Sequence, residues 1–183
     1  MTAADCLYAA VCNVCGAANG EALGHTEANT EGKCDRCGTE LSTGAEEVTV
    51  QKTVTDLITE YGWTSSTTKQ EFKLDDNVTV KINGGSNTGK AYNGDHIRIY
   101  ATDSPAGTIT ITVPEGYELV SVNISTQTGT YAFLYVDGTT TDICNQTTAV
   151  SGSSVVLNSV KNGTNGKQVR VMAIEVVYQT VSA

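Results

Sequence analysis

The chain predicts a mainly β protein, an antiparallel β-sandwich or jelly roll preceded by a small zinc-ribbon-like, cysteine-rich module. Three observations carry that expectation. Beyond residue 46 apolar and polar residues alternate with a period of two, the signature of half-buried strands. Gly-, Asn- and Pro-containing turn signals cut this alternation into about eight short runs, as sandwiches require. Five of the six cysteines fall within residues 1–45, where large apolar side chains are nearly confined to Leu7, Tyr8, Leu23 and Leu41. Such a segment cannot build a sufficient core by burial, so a metal or disulfides must hold it.

The cysteines carry the most specific pattern. Cys12-Asn13-Val14-Cys15-Gly16 and Cys34-Asp35-Arg36-Cys37-Gly38 are Cys-x-x-Cys-Gly turns separated by 18 residues, a spacing typical of four-thiolate zinc sites. Two intervening residues let one turn present both sulfurs to a single ion. The following glycine lets the backbone fold back toward them. With Cys12, Cys15, Cys34 and Cys37 filling all four positions, the zinc is structural, with no coordination site open for catalysis. In an oxidising compartment the same cysteines are instead disulfide partners, with three connectivities possible. Cys6 and His25 are further candidate ligands, Cys6 by replacing one of the four and His25 in a three-Cys, one-His site. His25 reads more simply as a turn residue beside Gly24, and Cys6 as a spare thiol or half of a bridge to sequence outside this chain.

The polar hinge Ser42–Glu47 marks a boundary, giving a zinc-knuckle module at 1–45 and a sandwich at 46–183. After Val48-Thr49-Val50 opens the β-branched alternation, Thr53–Tyr61 is the one stretch suited to a short helix, stopped by Gly62. Strands are expected at 72–74, 78–82, 97–100, 108–113, 119–124, 131–136, 154–157 and 169–178. The inward set is Val78, Val80, Ile82, Ile97, Ile99, Ile109, Ile111, Val113, Val120, Val122, Ile124, Val171, Ile174 and Val176.

The formal net charge of −9 leaves no basic footprint for nucleic acid, which argues against the commonest use of zinc ribbons. No run of 20 apolar residues spans a membrane, and no charged-then-apolar leader follows Met1. The Thr-, Ser-, Asn- and Gly-rich composition, poor in Lys and Glu, predicts an extracellular or cell-surface module from a longer protein.

Two resemblances agree with that location. Cys12-Asn-Val-Cys-Gly, Leu23-Gly-His25-Thr26 and Cys34-Asp-Arg-Cys-Gly resemble Cys/His repeats of large surface proteins from gut Firmicutes, which often carry an upstream Cys like Cys6. Residues 53–178 resemble a second module of such proteins through Tyr61-Gly-Trp63, Phe72-Lys-Leu-Asp75, Asn87–Tyr92, His96-Ile-Arg-Ile-Tyr100, Glu115-Gly-Tyr117 and Val171–Tyr178. The resemblance implies a secreted or wall-attached protein whose sandwich, of carbohydrate-binding type, accompanies catalytic or adhesive domains.

Aromatic residues supply the ligand signal, because sugar rings stack their apolar faces on Trp or Tyr while flanking polar groups satisfy the hydroxyls. Trp63, Tyr92, Tyr131 and Tyr135 lie near Asn93, Asp95, Arg98 and Asp137 and form the candidate platform. Tyr131, Phe133 and Tyr135 also share one face of the expected strand, where covering an edge is as natural a role. Other patterns are weaker. Gly84–Lys90 satisfies Gly-x4-Gly-Lys, but Ala91 stands where Ser or Thr must hold Mg²⁺ and a strand follows instead of a helix, so a nucleotide is rejected. His96 and Cys144 read as a surface histidine and a small buried thiol, and Asp95 beside His96 is expected on the opposite strand face. Asp75, Asp76 and Asp103 are turn carboxylates with Ca²⁺ as the sharper alternative.

One histidine and no convergent acid pair in the large module predict no enzyme. The sequence therefore points to a non-catalytic accessory module with structural zinc, binding carbohydrate or a cell-surface protein. The alternative is an architectural, self-assembling surface or filament subunit, a homo-oligomer with no small ligand.

Overall fold

The computed structural model describes residues 10–11, 18–19, 34, 46–64, 71–129 and 131–181. The chain divides into two compact units, Met1–Ala45 and Glu46–Ala183. In the first, β1 (Ala10–Val11) pairs antiparallel with β2 (Ala18–Asn19), and Cys34 is buried. Cys6, Cys12, Cys15, His25 and Cys37 lie outside the described residues.

The second unit opens with β3 (Glu47–Thr53) and α1 (Val54–Tyr61). Thr53 caps α1: its hydroxyl accepts from the Asp56 amide while the Asp56 carboxylate accepts from the Thr53 amide, a reciprocal capping box. Gly62, at φ 61°, ends the helix in the left-handed conformation that favours glycine. The helix carries Val54 and Leu57 into the core and packs against β3 and the strands that follow.

Those strands are β4 (Glu71–Lys73), β5 (Thr79–Asn83), β6 (Lys90–Tyr92), β7 (His96–Tyr100), β8 (Thr108–Thr112) and β9 (Tyr117–Thr126). After them come β10 (Phe133–Val136), β11 (Thr147–Ala149), β12 (Ser154–Val160) and β13 (Gln168–Thr180). They form a mainly β unit of two antiparallel sheets, ordered β10-β12-β8-β5-β4 and β11-β9-β13-β7-β6, sharing one apolar core as a β-sandwich does. Every connection from β8 to β13 passes from one sheet to the other.

The long strand β13 organises its sheet. One edge pairs with β9; the other pairs first with β7 (Val171 opposite Ile97) and then with β3 (Ala173 opposite Thr53). Because β3 ends where β7 begins to pair, the chain leaves the sheet there and turns into α1. Met172 is an extra residue on β13, so the inward set shifts from Val169 and Val171 to Ile174, Val176 and Tyr178.

The core holds every residue of the expected inward set except Val120. Leu119 opposes Tyr178 and Ser121 opposes Val177, so Val120 is the unmatched residue of a bulge and leaves the inward row. Each fully buried Val, Ile or Leu of this cluster adds roughly 1.5–3 kcal/mol relative to exposure. Lys90–Tyr92 and Thr147–Ala149 are strands the sequence did not reveal, and both are three-residue sheet edges.

Candidate functional site

The outward face of the β6-β7-β13 part of the six-stranded sheet collects the polar and aromatic side chains. Alternation sets Lys90 and Tyr92 outward on β6, Arg98 and Tyr100 on β7, and Gln168 and Arg170 on β13, each with at least part of its surface exposed. Register then makes neighbours of them. Tyr92 is opposite His96, Lys90 opposite Arg98, Arg98 opposite Arg170, and Tyr100 opposite Gln168.

The β6–β7 turn shapes one end. Asn93 (φ 52°) and Gly94 (φ 78°) both take left-handed conformations, as an Asn-Gly hairpin turn of primed type does. The hydroxyl of Thr55 on α1 donates to the Gly94 carbonyl. Asp95 belongs to this turn and not to the strand, so the expected separation of Asp95 and His96 onto opposite faces is wrong. The Asp95 carboxylate meets His96 Nδ1 at 2.5 Å. His96 is also not a surface residue: it is 3% exposed, 5.5 Å from the Tyr92 ring. Its Nε2 accepts from Arg98 Nε at 3.3 Å, which assigns the ring proton to Nδ1 and the Asp95 contact.

From Arg98 the hydrogen bonds run across the sheet. Its guanidinium carbon lies 3.3 Å from the Tyr92 ring centroid, and Nη1 donates to Tyr100 Oη. The Gln168 amide is oriented by its neighbours, with Nε2 donating to Tyr100 Oη (2.9 Å) and Oε1 accepting from Arg170 Nε (3.1 Å) and Nη2 (3.2 Å). Arg170 Nη1 donates to Gln127 Oε1 at 2.8 Å, and the Tyr131 hydroxyl donates to the same oxygen. The Tyr131 ring in turn faces the Arg170 guanidinium at 4.7 Å. One continuous network thus links Asp95 to Tyr131, with two aromatic faces each covering an arginine.

The structure divides the expected platform. Tyr92, Asp95, Arg98 and Tyr131 belong to this network, and Asn93 shapes the adjoining turn. Tyr135 does not: it stacks on Phe133 at 5.9 Å on the outward face of β10, in the opposite sheet. Tyr131 also departs from the row shared with Phe133 and Tyr135, because β10 starts only at Phe133 and the Ala132 amide donates to the Gln168 carbonyl on β13. Trp63 is no platform at all. It is 5% exposed in the core, stacked on Tyr61 (5.6 Å) and edge-on to Phe72 (5.3 Å).

Tyr100, Gln127, Gln168 and Arg170 were missed. The alternation within Val169–Tyr178 marks Arg170 as outward, but only strand register sets it opposite Arg98.

The remaining chemical candidates have structural partners. The Asp103 carboxylate accepts from Asn87 and Thr88 and pins the loop that leads into β6. Asp75 accepts from the amides of Asn77 and Val78 and from the Tyr178 hydroxyl. Lys90 opens a strand, so no helix N-terminus follows the Gly84–Lys90 loop. Burial foremost, then the neighbouring Asp142, pushes the half-buried Cys144 thiol up to about 12, far from thiolate chemistry. Among the described residues no three metal-ligating side chains converge, and no helix is long and apolar enough to cross a membrane.

Comparison of the chain with protein-family profiles, with curated proteins and with solved structures finds no match.

Proposed function

We propose that the β-sandwich is a non-catalytic carbohydrate-binding module of an extracellular or surface protein, with the β6-β7-β13 face as its ligand platform. The observation that carries this reading is the hydrogen-bonded aromatic–arginine network on an otherwise ordinary sheet face. Arg98 covers one face of the Tyr92 ring, and the rest of this exposed ring is left to receive the apolar side of a sugar. Arg98, Arg170 and Tyr100, held by one another and by Gln168, are positioned to bind ring substituents. Fixing these long side chains in the free protein lowers the entropy lost on binding. The passage of successive connections between sheets supports a jelly-roll arrangement. The resemblance to repeats of gut Firmicutes surface proteins supports the location.

The Cys-rich unit is proposed as a structural zinc knuckle on Cys12, Cys15, Cys34 and Cys37. Burial of Cys34 fits a thiolate in a closed metal site, where the ion holds the fold and takes no part in chemistry. Self-assembly is the weaker alternative. At the ends of the two sheet orders, β4, β6, β10 and β11 are three or four residues long, and such short edges blunt edge-to-edge pairing; the seven-residue β3, which pairs only with β13, is a longer edge.

A broad glycan and polysaccharide array, probed with the zinc-loaded full chain and with Tyr92→Ala, tests the reading. Saturable binding that Tyr92→Ala loses supports it. A blank array together with concentration-dependent growth in light scattering transfers the weight to the architectural alternative.

A further inference from the structure

We infer that the saccharide bound at this face carries an anionic substituent, a uronate carboxylate or a sulfate ester, seated between Arg98, Tyr100 and Arg170. The inference rests on the carbohydrate-binding reading and specifies its ligand class.

Lys90, Arg98 and Arg170 form a row of three cations in direct cross-strand register. Like charges directly opposite on one sheet face are destabilising. Among the described residues, no carboxylate lies within 4.0 Å of any of the three. The chain has 20 acidic residues against 11 basic ones, so carboxylates are plentiful. The fold nevertheless gathers cations here and bridges the two arginines through the neutral Tyr100 and Gln168, while His96 bonds only Arg98 of the pair and Gln127 only Arg170. An anion placed over the row would relieve the repulsion.

The balance of donors and acceptors favours an anion independently of net charge. Tyr100 Oη accepts from Arg98 and from Gln168, so both lone pairs are used and its proton remains to be donated. Gln168 Oε1 accepts twice from Arg170. Gln127 Oε1 accepts from Arg170 and Tyr131, and His96 Nε2 accepts from Arg98. Every acceptor at the centre of the network is therefore occupied. Of the five N–H groups on each guanidinium, two are used on Arg98 and three on Arg170. The centre thus offers donors only. A neutral sugar hydroxyl both donates and accepts, and finds half of its partners missing. A carboxylate or sulfate oxygen only accepts, and charge-assisted bonds from guanidinium to such oxygens are about twice as strong as neutral ones. Asp95, at the turn end and half-exposed, supplies the acceptor that a neighbouring sugar hydroxyl needs.

Titration calorimetry with the zinc-loaded full chain tests the inference on matched polymers. Polygalacturonate is compared with its methyl ester, and dextran sulfate with dextran. The expected result is binding to at least one charged polymer, at least tenfold tighter than to its neutral counterpart, and lost in Arg98→Gln and Arg170→Gln. Preference for polygalacturonate identifies the carboxylate, and preference for dextran sulfate the sulfate ester. If folding of the glutamine variants is impaired, Arg98→Lys and Tyr100→Phe report instead. The lysine keeps charge without the planar fork, the phenylalanine removes only the donated proton, and each is expected to weaken binding severalfold. Equal affinity for charged and neutral polymers that Tyr92→Ala abolishes overturns the anionic inference and leaves the carbohydrate reading standing. Charged-polymer binding that survives in all four Arg98, Arg170 and Tyr100 variants also overturns it. No binding to any of the four polymers, with a blank glycan array, overturns both.

Discussion

Asp103 holds the loop that leads into β6, on the proposed ligand face, and removing its carboxylate has a cost that can be worked out group by group. Its Oδ2 accepts from the Thr88 hydroxyl (3.0 Å), the Thr88 amide (3.1 Å) and the Asn87 amide (3.3 Å), and its Oδ1 accepts from Asn87 Nδ2 (3.1 Å). In Asp103→Ala the two Asn87 donors turn to water, because Asn87 is exposed. The Thr88 amide keeps its bond to the Gly85 carbonyl. The Thr88 hydroxyl has no such substitute. Thr88 is 3% exposed, and its oxygen already accepts from the Tyr100 amide. Leaving this buried donor without its acceptor costs about 1–3 kcal/mol, and that loss dominates the variant. The expected change is about 2 kcal/mol, or roughly 4–8 °C in Tm for a unit of this size. Urea unfolding followed by the fluorescence of Trp63, the single tryptophan, reads it from within the core. A loss below about 0.5 kcal/mol would show that water replaces the carboxylate and would refute the argument.

Because burial and the neighbouring Asp142 push the Cys144 thiol up to about 12, peptide-mapped alkylation at pH 8 should leave it unmodified in the folded chain and label it promptly once urea unfolds the protein; rapid native labelling would contradict its burial. Hydrogen bonds from the Thr53 hydroxyl and amide hold the Asp56 carboxyl below its ordinary 3.8, so its stabilisation is present above that pH and lost as pH falls through the lowered folded value. Asp56→Asn should therefore narrow its stability deficit below pH 3.8, and a deficit unchanged down to pH 2 would exclude the capping role. Trp63→Phe, a core change, should lower urea stability by about 1–3 kcal/mol and leave the glycan Kd within twofold; selective loss of binding would return Trp63 to the site.

The β class and most of the core were legible because inward Val and Ile recur at a period of two, from Val78 through Val176. Val120 defeats that logic, since a bulge inserts one residue without any change in composition. Strand β6 escaped for another reason. It presents only Lys90, Ala91 and Tyr92, too short for a period to register. The site was half legible. Tyr92, Asp95 and Arg98 are close in sequence and share one hairpin. Arg170 joins them through the β7–β13 register, and Tyr131 through the chain beyond β9, and neither pairing is a property of local sequence. Trp63 was misread because a lone tryptophan beside a glycine suggests exposure, whereas α1 and β4 enclose it with Tyr61 and Phe72. The turn residue Asp95 was misassigned to a strand, which concealed its contact with His96.

Ligand is proposed to land on the β6-β7-β13 face. Amide chemical-shift mapping with the tightest-binding glycan from the array tests it most directly. Perturbations are expected at Lys90–Tyr92, Asp95–Tyr100, Gln127 and Gln168–Arg170, with the opposite face around Tyr135 and Asn158 silent. Perturbations centred on β10 and β12 instead would contradict it and move the platform to the other sheet.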